Sequence, residues 1–600
     1  MLEPDPRTGR RRLILLLLGA AAWMGLILVR LLSVQVLEVD AFRNLASRQQ
    51  TAVVEITAPR GAILDRDGRE LALSRSVKSF YAVPAELANP AQAAAQLAKA
   101  LRVDRRPLER RLRLKDRDFV WVARKLIDSD AARVEALGIK GLGSLDEPRR
   151  FYPRGTLAAH VLGYVGLDNT GLAGVEHLYD QQIRGTPGRQ LTLRDARGLR
   201  FLPEPGGKPA QAGASAILTL DAVVQYLVET ALADAVRTSR AKDGVAVALD
   251  PRTGEVLAAV SWPTYDPNDY ARYGQDAWRD NVVGSAYEPG STFKLVTLAS
   301  ALEDHKLRLS ERIDCLMGGI RIGNHRFEDH KPFGVLAPID IFAQSSNVGA
   351  IEIGQRLTPR SFYDHMLRFG LGKPTDIDLP GEARGLVRDP REWSGLSQAA
   401  MSFGQEVSVT PIQLAVAFAA VANKGIAMKP YVVQRIVAST GETLYQRQPE
   451  AAGRVVTAST AAIMLDMMKE VVRTGTARTA QLAGYTAAGK TGTAQKIGPD
   501  GGGYLQGRYI ASFVGVAPAA DPRFLLFVAL DEPEGPYHGG EVAAPVFRAV
   551  AQPALAHLGV APETPELVAD ITWRDYFPPA AATDQTAAQP GVVYAAAGTR

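Results

Sequence analysis

Ser291 and Lys294 stand three residues apart in Tyr287-Glu288-Pro289-Gly290-Ser291-Thr292-Phe293-Lys294, and on a helix that spacing puts a hydroxyl and an amine on one face. A serine hydroxyl is a poor nucleophile at neutral pH, and an amine that takes its proton makes it an effective one. The pair points to acyl transfer. Spacing alone is weak, because Ser239 and Lys242 repeat it in a polar run, residues 238–243, that reads as a solvated loop. Ser291 differs in context. Pro289 and Gly290 interrupt the chain just before it and an apolar run over residues 295–302 follows, as at a helix start.

Acyl transfer also needs a proton path to the leaving amine and donors for the oxyanion. Ser345-Ser346-Asn347 offers a hydroxyl and an amide two residues apart, expected early in a helix that continues through Val348-Gly349-Ala350-Ile351. Ser144-Leu145-Asp146 has a similar spacing far upstream. A third group is Lys490-Thr491-Gly492-Thr493, in a strand-like stretch, residues 487–495. Its glycine lets a ligand approach the backbone, while the lysine and the hydroxyls of Thr491 and Thr493 can hold a carboxylate. Arg473-Thr474-Gly475-Thr476 is its decoy. Each group has a decoy, but only the three together occur in this order within one region.

The elements that must position these groups are legible in the pattern. Ala216-Ile217-Leu218-Thr219-Leu220 reads as a strand leading into an amphipathic helix over 221–236. Residues 245–249 and 255–260 flank the turn Asp250-Pro251-Arg252-Thr253-Gly254 as a β-hairpin. Strands over 510–516 and 524–530 and a helix over 541–558 come late, with a mostly helical stretch over 291–476 between. Strands at both ends and helices in the middle predict one α/β domain over 213–560, an antiparallel sheet flanked by helices and completed by its C-terminal part.

Upstream, residues 35–212 read as an elongated mixed α+β module, a non-catalytic pedestal. Residues 59–68 have strand and turn character, residues 85–138 carry Ala, Leu and Arg at helical spacing, and residues 155–188 are punctuated by glycine. Residues 13–29 are uncharged and apolar, about 25 Å as a helix at about 1.5 Å per residue. Leu31 and Leu32 extend the run, which predicts a transmembrane anchor over 13–34. Arg7, Arg10, Arg11 and Arg12 hold residues 1–12 in the cytoplasm and leave the rest outside. Ala20-Ala21-Ala22 offers small residues for signal-peptide cleavage, but the apolar run continues past them, which favours an uncleaved anchor. Residues 561–600 form an Ala/Pro-rich tail whose last twenty or so residues are expected to be disordered.

At 600 residues the chain exceeds one ordinary core and suggests two or three domains. A net charge of +5 is scattered rather than gathered into an aromatic-laced stripe, so nucleic-acid binding is not supported. The arginines of residues 102–113 read as a solvated helical face. A single cysteine, Cys315, excludes an intramolecular disulfide. Its neighbours His325 and His330 raise a metal site, but the spacing matches no common zinc pattern.

The ordered triplet is the known signature of penicillin-binding proteins and serine β-lactamases, and the resemblance extends over nearly the whole chain to about residue 560. Pro59 to Gly68, Arg150-Phe151-Tyr152-Pro153, Gly174-Val175-Glu176, Phe369-Gly370-Leu371-Gly372, Leu379-Pro380-Gly381-Glu382, Ser402-Phe403-Gly404-Gln405 and Val409-Thr410-Pro411 carry it alongside the triplet. The sequence resembles a class B penicillin-binding protein of the division-specific FtsI type from a Gram-negative bacterium. That resemblance implies a peptidoglycan D,D-transpeptidase acting on stem peptides ending in D-Ala-D-Ala, with no metal or organic cofactor. By the same resemblance Ser291 is the nucleophile and Lys294 its base, which must be neutral. Ser345 relays a proton to the departing amine and Asn347 holds the peptide amide. Lys490, Thr491 and Thr493 bind the terminal carboxylate, Gly492 is a substrate-binding position between them, and the amides of Ser291 and Thr493 form the oxyanion hole. β-Lactams are expected to acylate Ser291. Implied partners are the SEDS glycosyltransferase FtsW and other divisome membrane proteins, and the implied location is the inner membrane with the catalytic domain in the periplasm. The 35–212 module is then dimerisation-like in family terms. Tyr504, Tyr509, Tyr537 and His538 are either cleft-lining or ordinary packing residues. An elongation-type transpeptidase, a serine β-lactamase and a non-enzymatic β-lactam sensor or division scaffold remain alternatives.

Overall fold

The computed structural model describes residues 6–40, 51–115, 117, 119–193, 202–498 and 503–568; the final part of the tail, for which disorder is expected, lies outside the described residues. The first helix, α1 (Pro6–Leu32), runs without interruption because its middle holds neither proline nor charge. Leu16, Trp23 and Leu26 are 71%, 72% and 73% exposed, unlike any core helix. The apolar span Arg10–Leu37 is long enough to cross a membrane and fits a single-pass anchor.

Beyond the anchor, β1 (Ile63–Leu64) turns into the long β2 (Glu70–Ala82). Asp65 builds that turn by accepting from the amides of Asp67 and Arg69 at 3.0 and 2.8 Å, and Gly68 takes the left-handed conformation at φ +84°. Beside β2, the helices Pro90–Leu101, Arg105–Leu112 and Asp128–Glu135 bury Leu97, Leu101, Leu108, Leu112 and Val134 in a small core of their own. Strand β3 (Leu142–Phe151) then pairs antiparallel along most of β2.

The catalytic part begins with β4 (Ser215–Leu218) and α2 (Ala222–Ser239), whose first amides are capped by Asp221. The expected hairpin follows as β5 (Asp243–Leu249) and β6 (Val256–Trp262). Then come α3 (Lys294–Glu303), α4 (Pro338–Gln344), α5 (Asn347–Gly354), α6 (Pro411–Ala422) and β7 (Val433–Val437). The chain closes with β8 (Ala488–Ile497), β9 (Tyr504–Ala517), β10 (Phe524–Asp531) and α7 (Ala544–His557).

The C-terminal strands complete a five-stranded antiparallel sheet in the order β6-β5-β10-β9-β8, as the distribution of strand signals predicts. Successive strand residues point to opposite faces. Gly244 packs against Leu232 and Val236 of α2, while the next residue, Val245, faces a cavity walled by Pro411 of α6. The sheet is therefore covered on both faces, and β8 is left at its edge, where Lys490 pairs opposite Val514. The segment 291–476 is less purely helical than expected. It also holds the short hairpin Gly319–Ile322 with His325–Glu328 and the pair Ile426–Met428 with Ala451–Arg454. Strands of three or four residues are too short to show a period in the sequence.

A second sheet crosses the expected boundary at residue 213. β7 pairs antiparallel with β4, β4 lies parallel to β1, and β1 continues into β2. Beneath this joint Arg60 donates to Glu176 at 2.9 Å, to Asp180 at 2.6 Å and to the Asn169 carbonyl at 2.8 Å. Arg150 joins the same Glu176 and donates to the Gly61 carbonyl at 2.7 Å. The motifs around Pro59, Arg150 and Gly174 thus meet in one buried ionic cluster.

Candidate active site

Lys294 is the first residue of α3, a helix buried along its whole length except at Glu303. The turn before it, Gly290–Phe293, is a 3-10 helix, in which residues three apart are eclipsed. This places Ser291 and Lys294 along one edge, with Ser291 at the cleft and Lys294 fully buried. Gly290, at φ +55°, permits the sharp entry, and a Cβ there would come within 3.2 Å of the Thr493 carbonyl. The nucleophile turn and β8 therefore approach backbone to backbone. Gly404 closes the other side: its carbonyl accepts from the Gly290 amide at 3.1 Å, and a Cβ on it would lie 2.1 Å from the Gly290 oxygen.

Ser345 occupies a different position from the one expected. It does not lie inside a helix but caps α4 in the left-handed conformation at φ +61°, and Ser346 starts α5 by accepting from the Gly349 amide at 2.9 Å. That break lets both Ser345 and Asn347 face the cleft. Asp329 fixes the joint by accepting from the Ser346 hydroxyl at 2.7 Å and from the Asn347 and Val348 amides, a negative charge at a helix N-terminus.

The three groups converge on two lysines. Lys294 Nζ donates to the Ser345 carbonyl at 2.6 Å and to Asn347 Oδ1 at 2.8 Å, and lies 3.2 Å from Ser345 Oγ. Lys490 Nζ, also fully buried, reaches the same Ser345 Oγ at 2.9 Å and the Thr491 carbonyl at 3.0 Å, over the ring of Phe342. Burial pushes the Lys294 amine down to about 7, with Asp329 opposing. Lys490 is driven well below its ordinary range by burial first and by the charge of Lys294 second. Asn347 Nδ2 donates to the Glu328 carbonyl at 2.9 Å, which fixes the amide's orientation.

Ser291, Ser345, Asn347, Thr491 and Thr493 border one cleft of about 470 Å³. Gly492 gives β8 its close fit, since a Cβ there would lie 2.4 Å from Ser512 Oγ. Thr493 Oγ1 accepts from the Gly539 amide at 3.3 Å. Tyr509, Tyr537 and His538 line the far wall, Tyr509 stacked on Tyr537 at 4.5 Å. Tyr504 is turned elsewhere and donates to Glu288 at 3.0 Å.

The decoys go elsewhere. Ser239 Oγ donates to the Ala235 carbonyl at 2.7 Å at the end of α2, and Ser144 sits in β3. Thr476, set aside with Arg473-Thr474-Gly475, nevertheless lines the cleft and bonds Thr491 Oγ1 at 2.6 Å. Phe403, Gln405 and Gly539 also border it, and nothing local in the sequence signals Thr476 or Gly539. Cys315 is buried, while the rings of His325 and His330 rest on Phe327 and Phe333. A cleft hydroxyl one turn before a buried amine, with a second hydroxyl shared by that amine and another lysine, can form, hold and release an acyl group.

Comparison with known proteins agrees with this chemistry. Residues 244–552 match the penicillin-binding protein transpeptidase domain and residues 55–215 the penicillin-binding protein dimerisation domain. The chain is 34% identical to stage V sporulation protein D of Bacillus subtilis, over 95% of this chain and 89% of that protein. It is 33% identical to the peptidoglycan D,D-transpeptidase FtsI of Escherichia coli, over 91% and 90% respectively. The crystal structure of penicillin-binding protein 3 from Mycobacterium tuberculosis complexed with aztreonam covers 85% of this chain and 98% of its own, at 30% identity and a TM-score of 0.67.

Proposed function

The chain belongs to the class B penicillin-binding proteins and is a peptidoglycan D,D-transpeptidase, and from that premise we propose a residue-level mechanism and a septal role. Ser291 Oγ attacks the carbonyl of the penultimate D-Ala and its proton passes to neutral Lys294. The amides of Ser291 and Thr493 receive the oxyanion, a contribution of about 3–4 kcal/mol per donor. As the intermediate collapses, the C–N bond breaks and D-Ala leaves, its amine taking a proton through Ser345 Oγ. Lys490, Thr491 and Thr493 hold the terminal carboxylate, against the small Gly492, and Asn347 holds the peptide amide. An acceptor amine then attacks the ester and gives up a proton to neutral Lys294, the C–O bond breaks as that proton passes to Ser291 Oγ, and the 4,3 cross-link forms with Ser291 freed.

The observation that carries this reading is the single hydroxyl, Ser345 Oγ, within 3.2 Å of one buried amine and 2.9 Å of another. β-Lactams enter by the same route and acylate Ser291. Residues 1–12 lie in the cytoplasm and 13–34 in the inner membrane. Residues 35–212 act as the periplasmic pedestal, 213–560 as the catalytic domain and 561–600 as a tail. FtsW and other divisome membrane proteins are the proposed partners.

The purified full-length protein, given a D-Ala-D-Ala stem peptide and an amine acceptor, should release D-Ala and form cross-linked dimer. Ser291→Ala should lose both, by more than about 10³-fold. D-Ala release without dimer would reject transpeptidation, and a fully active Ser291→Ala enzyme would reject the nucleophile. The similarity to a sporulation protein keeps a second cellular role in view. Depletion yielding filaments supports the septal role, and round cells an elongation role.

A further inference from the structure

The joint between the N-terminal module and the catalytic part encloses a smaller cavity of about 200 Å³, distant in sequence from the cleft residues. Arg124, Lys125, Arg149 and Arg150 line it from one side, Asn268 and Tyr270 from the other. Arg124 is fully engaged, donating to Glu147 at 2.7 and 3.1 Å and to Asp168 at 2.8 Å. Arg150 bonds Glu176 and the Gly61 carbonyl, but its Nη2 is buried and meets no acceptor among the described residues, although the side chain is only 3% exposed. The donors of Arg124 and Arg150 are thus either paired or closed off from the cavity, which leaves Lys125 and Arg149 to face it.

Lys125 supplies an independent observation. It is 8% exposed, in a left-handed backbone at φ +54°, and burial pushes its amine down to about 8. Neither Lys125 nor Arg149 forms an ion pair with a carboxylate among the described residues, and Arg149 Nη1 donates to the Lys125 carbonyl at 3.0 Å. The four cations face the carboxylates of Glu147, Asp168 and Glu176, and Glu176 also serves Arg60. Lys125 feels Glu147 and Asp168 without pairing with either, since Arg124 engages both, which leaves room for a mobile anion.

We propose that this cavity binds a phosphate-class oxyanion through Lys125 Nζ and the Arg149 guanidinium. Several cationic donors around a compact space suit a polyvalent tetrahedral anion better than a single planar carboxylate. Asn268 lies in the same wall and clamps Tyr152, accepting from its amide at 2.9 Å and donating to its carbonyl at 3.0 Å.

Isothermal titration of the full-length protein in detergent with inorganic phosphate, against acetate at matched ionic strength, tests the site. The expected result is one saturable site for phosphate, at least tenfold tighter than for acetate. Lys125→Met should weaken it at least tenfold and raise the unfolding temperature of the phosphate-free protein, because it removes a buried unpaired cation. Lys125→Arg should retain binding within a few-fold, and unchanged penicillin acylation in each variant reports that it is folded. Arg149→Gln, at a half-exposed position, serves if Lys125→Met does not fold, and should weaken phosphate binding several-fold. Glycerol 1-phosphate binding more tightly than phosphate indicates a lipid headgroup or other monoester as the source, and weaker binding indicates free phosphate; both support the site. Phosphate binding no tighter than acetate, or equally tight binding by Lys125→Met, overturns it.

Discussion

Two amines that share one hydroxyl do not both hold a proton comfortably: burial lowers both Lys294 and Lys490, and the charge of Lys294 lowers Lys490 further. Lys294, pushed down to about 7, is poised to accept a proton near neutrality. Below pH 7 its lone pair is occupied, so the rate of penicillin acylation should fall about tenfold per unit as pH drops and level off above about 7. Lys294→Met should remove at least about 10³-fold and flatten that profile, which stopped-flow acylation across pH checks directly. A wild-type rate independent of pH between 5 and 8 would contradict the neutral-base role. Ser345→Ala should slow D-Ala release by about 10²-fold or more, and should slow penicillin acylation less, because a β-lactam's leaving nitrogen stays tethered in the acyl-enzyme. These side chains were legible in the sequence because each group is contiguous: a hydroxyl, an amine or a glycine within four residues. Thr476 and Asp329 were not, since each acts on a residue at least fifteen positions away, Thr476 on Thr491 and Asp329 on Ser346 and Asn347.

At the scale of elements, the cleft depends on short backbone approaches rather than on long regular structure. The 3-10 turn Gly290–Phe293, the edge strand β8 and the left-handed cap at Ser345 are what aim the side chains. Gly404 makes another such approach, at φ +88° and with no room for a Cβ against the Gly290 oxygen. Gly404→Ala should cost about 2 kcal/mol or more from strain and overpacking together. It should also lower the acylation rate at temperatures where the protein is still folded, since Gly290 precedes the nucleophile. Thermal unfolding and acylation measured on the same sample check both, and unchanged acylation would remove Gly404 from any positioning role. Long elements such as α2, β5, β6 and β10 were readable from period and turn chemistry. The misplacement of Ser345 has a physical cause: its left-handed backbone ends α4, and the joint to α5 is held by Asp329, which is distant in sequence.

For the whole molecule, module and catalytic part are one mechanical unit, because a sheet runs through β7, β4, β1 and β2 and the Arg60, Glu176 and Arg150 side chains are buried beneath it. Glu176→Ala leaves two arginines without their shared counter-charge and should destabilise the protein by about 3–5 kcal/mol. The cluster lies in the module directly beneath the sheet that joins it to the catalytic part, so the substitution should lower the unfolding midpoint read by penicillin binding and that of the module together. Separate transitions, with only the module destabilised, would contradict the joint. The motifs around Pro59, Arg150 and Gly174 were visible in sequence, but their meeting was not, since it spans more than a hundred residues. The central claim is that Ser291 is the acyl acceptor, and the most direct measurement is peptide-level mass spectrometry of the full-length protein after incubation with penicillin. One covalent adduct on the peptide holding Ser291 is predicted; an adduct on Ser239, or none, would contradict it.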